Sequence, residues 1–101
     1  MQKRLEISEI QNQLENLRNW DFTPESISKV YLFKDFKQAI EFVNQVANAA
    51  EEMDHHPDIN IFGWNKVRIS LSTHSAKGLT QLDFDLSNKI ENIFKNFNFE
   101  E

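Results

Sequence analysis

The 101-residue chain has no cysteine, which excludes disulfides, thiolate catalysis and the thiolate-rich zinc sites together. Glycine and proline are scarce, two of each, so no linker, low-complexity tract or internal repeat divides the chain. A single domain over residues 1–101 is therefore expected. No run approaches the roughly 20 apolar residues that cross a bilayer, and Met1-Gln2-Lys3-Arg4 is not followed by the apolar core of a signal peptide. The expectation is a cytoplasmic protein without membrane contact. Basic charge is also short. With 11 Lys and Arg against 16 Asp and Glu, a net charge of −5 disfavours direct contact with nucleic-acid phosphates. What is present, 40% hydrophobic and 27% charged residues, suits one buried core under a soluble surface.

Ser8 precedes an apolar stripe at Ile10, Leu14 and Leu17, with Gln11 three residues on, which predicts a short capped helix ending near Asn19. Residues 20–23 and 28–33 alternate in polarity around Pro24-Glu25-Ser26 and read as a hairpin. From Asp35, a second cap, Phe36, Ala39, Ile40, Val43, Val46, Ala47 and Ala50 recur at helical spacing. This helix has to stop by His56, because Pro57 pushes the residue before it out of the helical region. Ile59 and Ile61, then Val67, Ile69, Leu71 and Thr73, alternate with polar neighbours about Gly63-Trp64-Asn65, a second hairpin. Thr80 caps a last helix, with Asp83 at its positive end and Leu82, Leu86, Ile90, Ile93, Phe94 and Phe97 as its buried stripe. The order α-β-β-α-β-β-α implies an α+β fold. It is a two-layer sandwich, a four-stranded antiparallel sheet with helices on one face and Arg68, Ser70, Ser72 and His74 on the other.

All three histidines, His55, His56 and His74, fall within 20 residues, at a helix exit and at the end of the fourth strand. Hairpin pairing returns that strand toward Pro57, so three imidazoles can line one cleft and exchange protons near neutral pH. Two other readings stand beside this one. The first pair can simply cap a helix C-terminus, and three histidines match the ligand count of a zinc site, although no familiar metal spacing is present. Glu51, four residues before His55, shares its helix face and can orient an imidazole or hold a cationic substrate edge. Asp83 is a capping acid that joins the cleft only if its helix end faces it.

His55-His56-Pro57, the strand from Lys66 to His74 containing Ser72-Thr73-His74, and Gly78-Leu79-Thr80-Gln81-Leu82-Asp83 resemble, in order and spacing, the pterin-4a-carbinolamine dehydratases. The resemblance implies the same α+β fold, a homodimer or homotetramer, and a pterin as the bound small molecule. It implies loss of water from the 4a-carbinolamine left by aromatic amino acid hydroxylases, giving quinonoid dihydropterin, with no metal and no organic cofactor. By residue it implies that His55, His56 and His74 are catalytic and that Glu51, Pro57, Thr73 and Asp83 bind or orient the substrate. Ile59 stands where many members carry an aromatic residue, and Lys77-Gly78 replaces a common Gly-Gly pair, changes that bear on the pocket rim and the pterin C6 side chain. Some members also serve as dimerisation partners of a transcription factor. That role would need exposed apolar residues on the second helix.

Overall fold

A computed structural model describes residues 3–97, so the outermost residues of the expected 1–101 unit lie outside it. Helices α1 (Ile7–Leu14), α2 (Phe36–Met53) and α3 (Gln81–Lys95) alternate with strands β1 (Asp21–Phe22), β2 (Ile27–Leu32), β3 (Asp58–Phe62) and β4 (Lys66–Leu71). The order is the expected α-β-β-α-β-β-α, and the strands form one antiparallel sheet in the order β1-β2-β4-β3. The two hairpins join through their second strands, Ile27 opposite Leu71 and Leu32 opposite Lys66.

Alternation decides the faces. Ile27, Tyr31, Val67, Ile69 and Leu71 are buried under the helices, whereas Val30, Leu32 and Arg68 are exposed on the other face. In the core, Tyr31, Phe33, Phe42, Phe94 and Phe97 form one aromatic cluster with ring centroids 4.7–5.8 Å apart in their closer pairs. It ties β2 to α2 and α3.

Asp35 caps α2 as expected, accepting a hydrogen bond from the Gln38 N–H at 2.8 Å. Beyond one-residue shifts at the ends of β1 and β2, three boundaries differ from expectation. First, α1 is capped at Glu6, not Ser8: the Leu5 N–H bonds to the Leu79 carbonyl, which holds the chain extended up to Glu6, and the Glu9 carboxylate accepts from the Glu6 N–H. The same helix stops at Leu14, where bonds tighten to the three-residue spacing of Leu17 N–H to Leu14 O. Last, β4 ends at Leu71, so His74 is not on the strand. Thr73 instead bridges to Gly78, and His74–Ala76 form a 3₁₀ turn closed by Lys77 at φ +58°.

Candidate active site

The end of α2 places His55. Asp54 adopts the left-handed conformation (φ +52°), its N–H bonds to the Glu51 carbonyl, and the His55 N–H reaches back to the Ala50 carbonyl at 3.1 Å. This is the double-bonded Schellman end, in which the residue after the left-handed one folds against the last helical turn. Pro57 then prevents any return to helix. His55 is thereby turned inward, 9% exposed, and His56 outward.

The start of α3 supplies the partner. Asp83 is fully buried, and its carboxylate meets a hydroxyl, a backbone N–H and an imidazole nitrogen. Oδ2 accepts from the Thr73 hydroxyl at 2.8 Å and the Thr80 N–H at 2.9 Å, while Oδ1 lies 2.6 Å from His55 Nε2. These contacts assign the protons. Thr73 spends its hydroxyl proton on Asp83, so across the 2.8 Å contact between the two threonines Thr80 is the donor, while Thr80 Oγ1 accepts from the Leu82 N–H. An ionised Asp83 requires His55 to carry hydrogen on Nε2. Asn65 Oδ1 is the one buried side-chain polar atom without a partner among the described residues, and no described residue hydrogen-bonds His55 Nδ1. Nδ1 is thus the nitrogen open to a ligand, and Asp83 fixes its direction.

The other expected site residues divide into two groups. Glu51 and His56 form an exposed pair, Oε2 to Nε2 at 2.6 Å, beside half-buried Pro57. His74 follows buried Thr73 and is exposed, lining an open cleft of about 460 Å³ with Thr23, Glu25, Ser26, Ser72 and Lys77. Neither His55 nor His56 lines that cleft. Thr73 is the link: its side chain binds the carboxylate that holds His55, and its backbone leads directly into His74. Among the described residues, no group of three or more His, Asp or Glu side chains is arranged to hold a metal ion.

A family model described as pterin 4 alpha carbinolamine dehydratase matches residues 3–93, which includes every residue of this arrangement. The chain belongs to that family. A relative from Sulfurisphaera tokodaii bearing the name "Putative pterin-4-alpha-carbinolamine dehydratase" is 42% identical over 91 residues, 90% of this chain and 97% of its own. The crystal structure of a transcriptional coactivator/pterin dehydratase from Brucella melitensis matches with a TM-score of 0.85 at 38% identity, over 90% of this chain and 98% of that one. A pterin dehydratase-like protein described as a RuBisCO assembly factor in the alpha-carboxysome shares the fold, with a TM-score of 0.60 at 23% identity over 73% of this chain and 84% of its own.

In this member of the family, sequence reasoning missed Thr80 as more than a helix cap. The signal was present: Thr80 and Asp83 have capping-box spacing, and a carboxylate held at such a box is aimed at backbone N–H groups and away from solvent.

Proposed function

We propose that residues 1–101 act as one domain that dehydrates a pterin 4a-carbinolamine to quinonoid dihydropterin, returning pterin to aromatic amino acid hydroxylases. The observation that carries the reading is the buried Asp83 carboxylate holding His55 in one tautomer with Nδ1 open, in a chain of the dehydratase family. In the proposed step one imidazolium gives its proton to the departing 4a-hydroxyl, the C4a–O bond breaks and water leaves. The adjacent ring nitrogen supplies the electron pair, and a second, neutral imidazole takes the proton the pterin releases. His55, His56 and His74 share these roles. Asp83 orients His55 and offers a counter-charge when Nδ1 takes up a proton, as the carboxylate of a catalytic triad does for its histidine. Thr73 fixes Asp83, Glu51 orients His56, and Pro57 holds both histidines at the helix exit. No metal or organic cofactor enters the scheme.

The test follows the loss of chemically prepared 4a-carbinolamine by ultraviolet absorbance, with wild type and with His55→Ala, His56→Ala and His74→Ala. Each single variant is expected to lose roughly 10²–10⁴-fold in rate, the usual worth of one positioned proton transfer. Full activity in all three would sink the assignment.

An interaction role is the alternative. Phe36, at the first turn, is the one large hydrophobic residue of α2 that is exposed, whereas Val30 and Leu32 are exposed on the open sheet face. These favour self-association into a homodimer or homotetramer over capture of a helical partner by α2. Measuring particle size across concentration separates the two readings, since a monomer at all concentrations would contradict self-association.

A further inference from the structure

The proposed proton transfers leave Thr80 without a role, although it is fully buried against the Asp83 network. Its Oγ1 caps α3 twice over, accepting from the Leu82 N–H at 3.3 Å and from the Asp83 N–H of the capping box. A hydroxyl has two acceptor positions and one proton, so with both lone pairs engaged by the first turn of α3 only the proton remains to be placed. The acceptor facing it is Thr73 Oγ1, 2.8 Å away. The backbone fixes this meeting. Thr73 and Gly78 exchange hydrogen bonds in both directions, at 2.9 and 3.4 Å, and the Leu5 N–H holds the Leu79 carbonyl between Gly78 and Thr80 at 2.8 Å.

Direction matters because Thr73 has two oxygens within reach. Its single proton can go to Asp83 Oδ2 or to Thr80 Oγ1, each at 2.8 Å. A free acceptor at Thr80 would draw that proton off the carboxylate, but the N–H groups of α3 already fill the oxygen, so Asp83 receives it. The bonds then run one way, from the start of α3 through Thr80, Thr73 and Asp83 to His55 Nε2 at 2.6 Å. Hydrogen bonds in such a chain strengthen one another.

We infer that Thr80 is a positioning residue of the dehydration site: by donating to Thr73 it locks Asp83 in the orientation that aims His55 Nδ1. The inference rests on the proposed dehydration and adds to it a residue that touches neither the substrate nor a histidine. A small rotation of the carboxylate swings the imidazole it holds, and a misaimed nitrogen slows proton transfer.

The experiment measures steady-state turnover of a 4a-carbinolamine by wild type, Thr80→Val, Thr80→Ser, Thr73→Val and the double variant Thr73→Val/Thr80→Val, with circular dichroism to show that each is folded at the assay temperature. Thr80→Gly stands beside Thr80→Val, because glycine also lacks the hydroxyl and is well tolerated at a helix N-cap. Both hydroxyl-free variants are expected to lose roughly 3–10-fold in kcat at unchanged KM, the factor that matches the net worth of one hydrogen bond. Thr80→Ser, which keeps the hydroxyl, should recover most of it. Since Thr80 acts through Thr73, the double variant should be no slower than Thr73→Val alone. Proton NMR supplies a readout apart from turnover: the His55 Nε2–H, identified by its loss in His55→Ala, should exchange with solvent faster in the hydroxyl-free variants than in wild type. Wild-type kcat or wild-type exchange in those variants, losses that multiply in the double variant, or a serine variant as slow as valine would overturn the positioning role and leave the dehydration reading standing. Absence of turnover in wild type would overturn both.

Discussion

Asp83 accepts hydrogen bonds from three segments, the His55 ring, the Thr73 hydroxyl and the Thr80 N–H, and is itself fully buried. A carboxylate in that position is tolerable only while every oxygen is satisfied, and removing it strands the donors in turn. Asp83→Ala is expected to destabilise the fold by about 3–5 kcal/mol in total, because each buried donor left without an acceptor costs about 1–3 kcal/mol. Chemical denaturation reads this as a lower midpoint at unchanged slope, and a loss below about 1 kcal/mol would show the network to be slack. At this scale the sequence is half legible. The three-residue spacing of Thr80 and Asp83 gives the cap, but that the same carboxylate also reaches His55, 28 positions away, depends on how the end of α2 and the start of α3 meet, and no local pattern encodes that meeting. Lys77 is read in the sequence as a departure at the pocket rim, while its left-handed backbone and the Arg4 side chain lying on Gly78 emerge only from the three-dimensional arrangement.

Among the elements, β2 and α3 are joined by a second, partly buried polar cluster far in sequence from the histidines. Glu91 Oε2 accepts from Lys29 Nζ at 2.7 Å, from Trp20 Nε1 at 3.3 Å and from the Tyr31 hydroxyl. Burial pushes the Tyr31 phenol well above its ordinary value of about 10, and the hydrogen bond and charge of Glu91 push in the same direction. The phenol of the unfolded chain ionises near pH 10, whereas the folded one keeps its proton. This contribution is therefore fully present below about pH 10 and declines above it, because the folded state then binds more protons than the unfolded. Unfolding free energy measured from pH 8 to 11 is expected to fall above about pH 10, and Tyr31→Phe should flatten that fall; an equally steep decline in the variant would contradict the assignment. Helix starts show what local pattern does and does not settle. Asp35 and Thr80 are legible because each caps its own helix, whereas α1 is capped at Glu6, where a distant carbonyl, Leu79, holds the preceding residue extended. Strand β4 is overextended by a reading of alternation alone, since Thr73 continues the pattern but pairs with Gly78 instead of a strand.

For the whole molecule, periodicity gives the element order and the buried face of each strand, and the helices cover the face it assigns to them. The joining of the hairpins through β2 and β4 is not local information, because it pairs residues far apart in the chain, Ile27 with Leu71 and Leu32 with Lys66. That pairing matters for the site. It sets β4 between β2 and β3, so the chain leaving β4 carries Thr73 to Asp83 and delivers His74 to the cleft shared with the β1–β2 turn. Among the described residues no helix is long and apolar enough to cross a membrane. The measurement that bears most directly on the central claim is the absorbance time course of a pterin 4a-carbinolamine with purified protein, beside a protein-free blank and beside His55→Ala. The expected result is decay much faster than the blank with wild type and slowed by about 10²-fold or more in the variant; a wild-type trace that overlays the blank would contradict the assignment of this fold and its Asp83-held histidine to pterin dehydration.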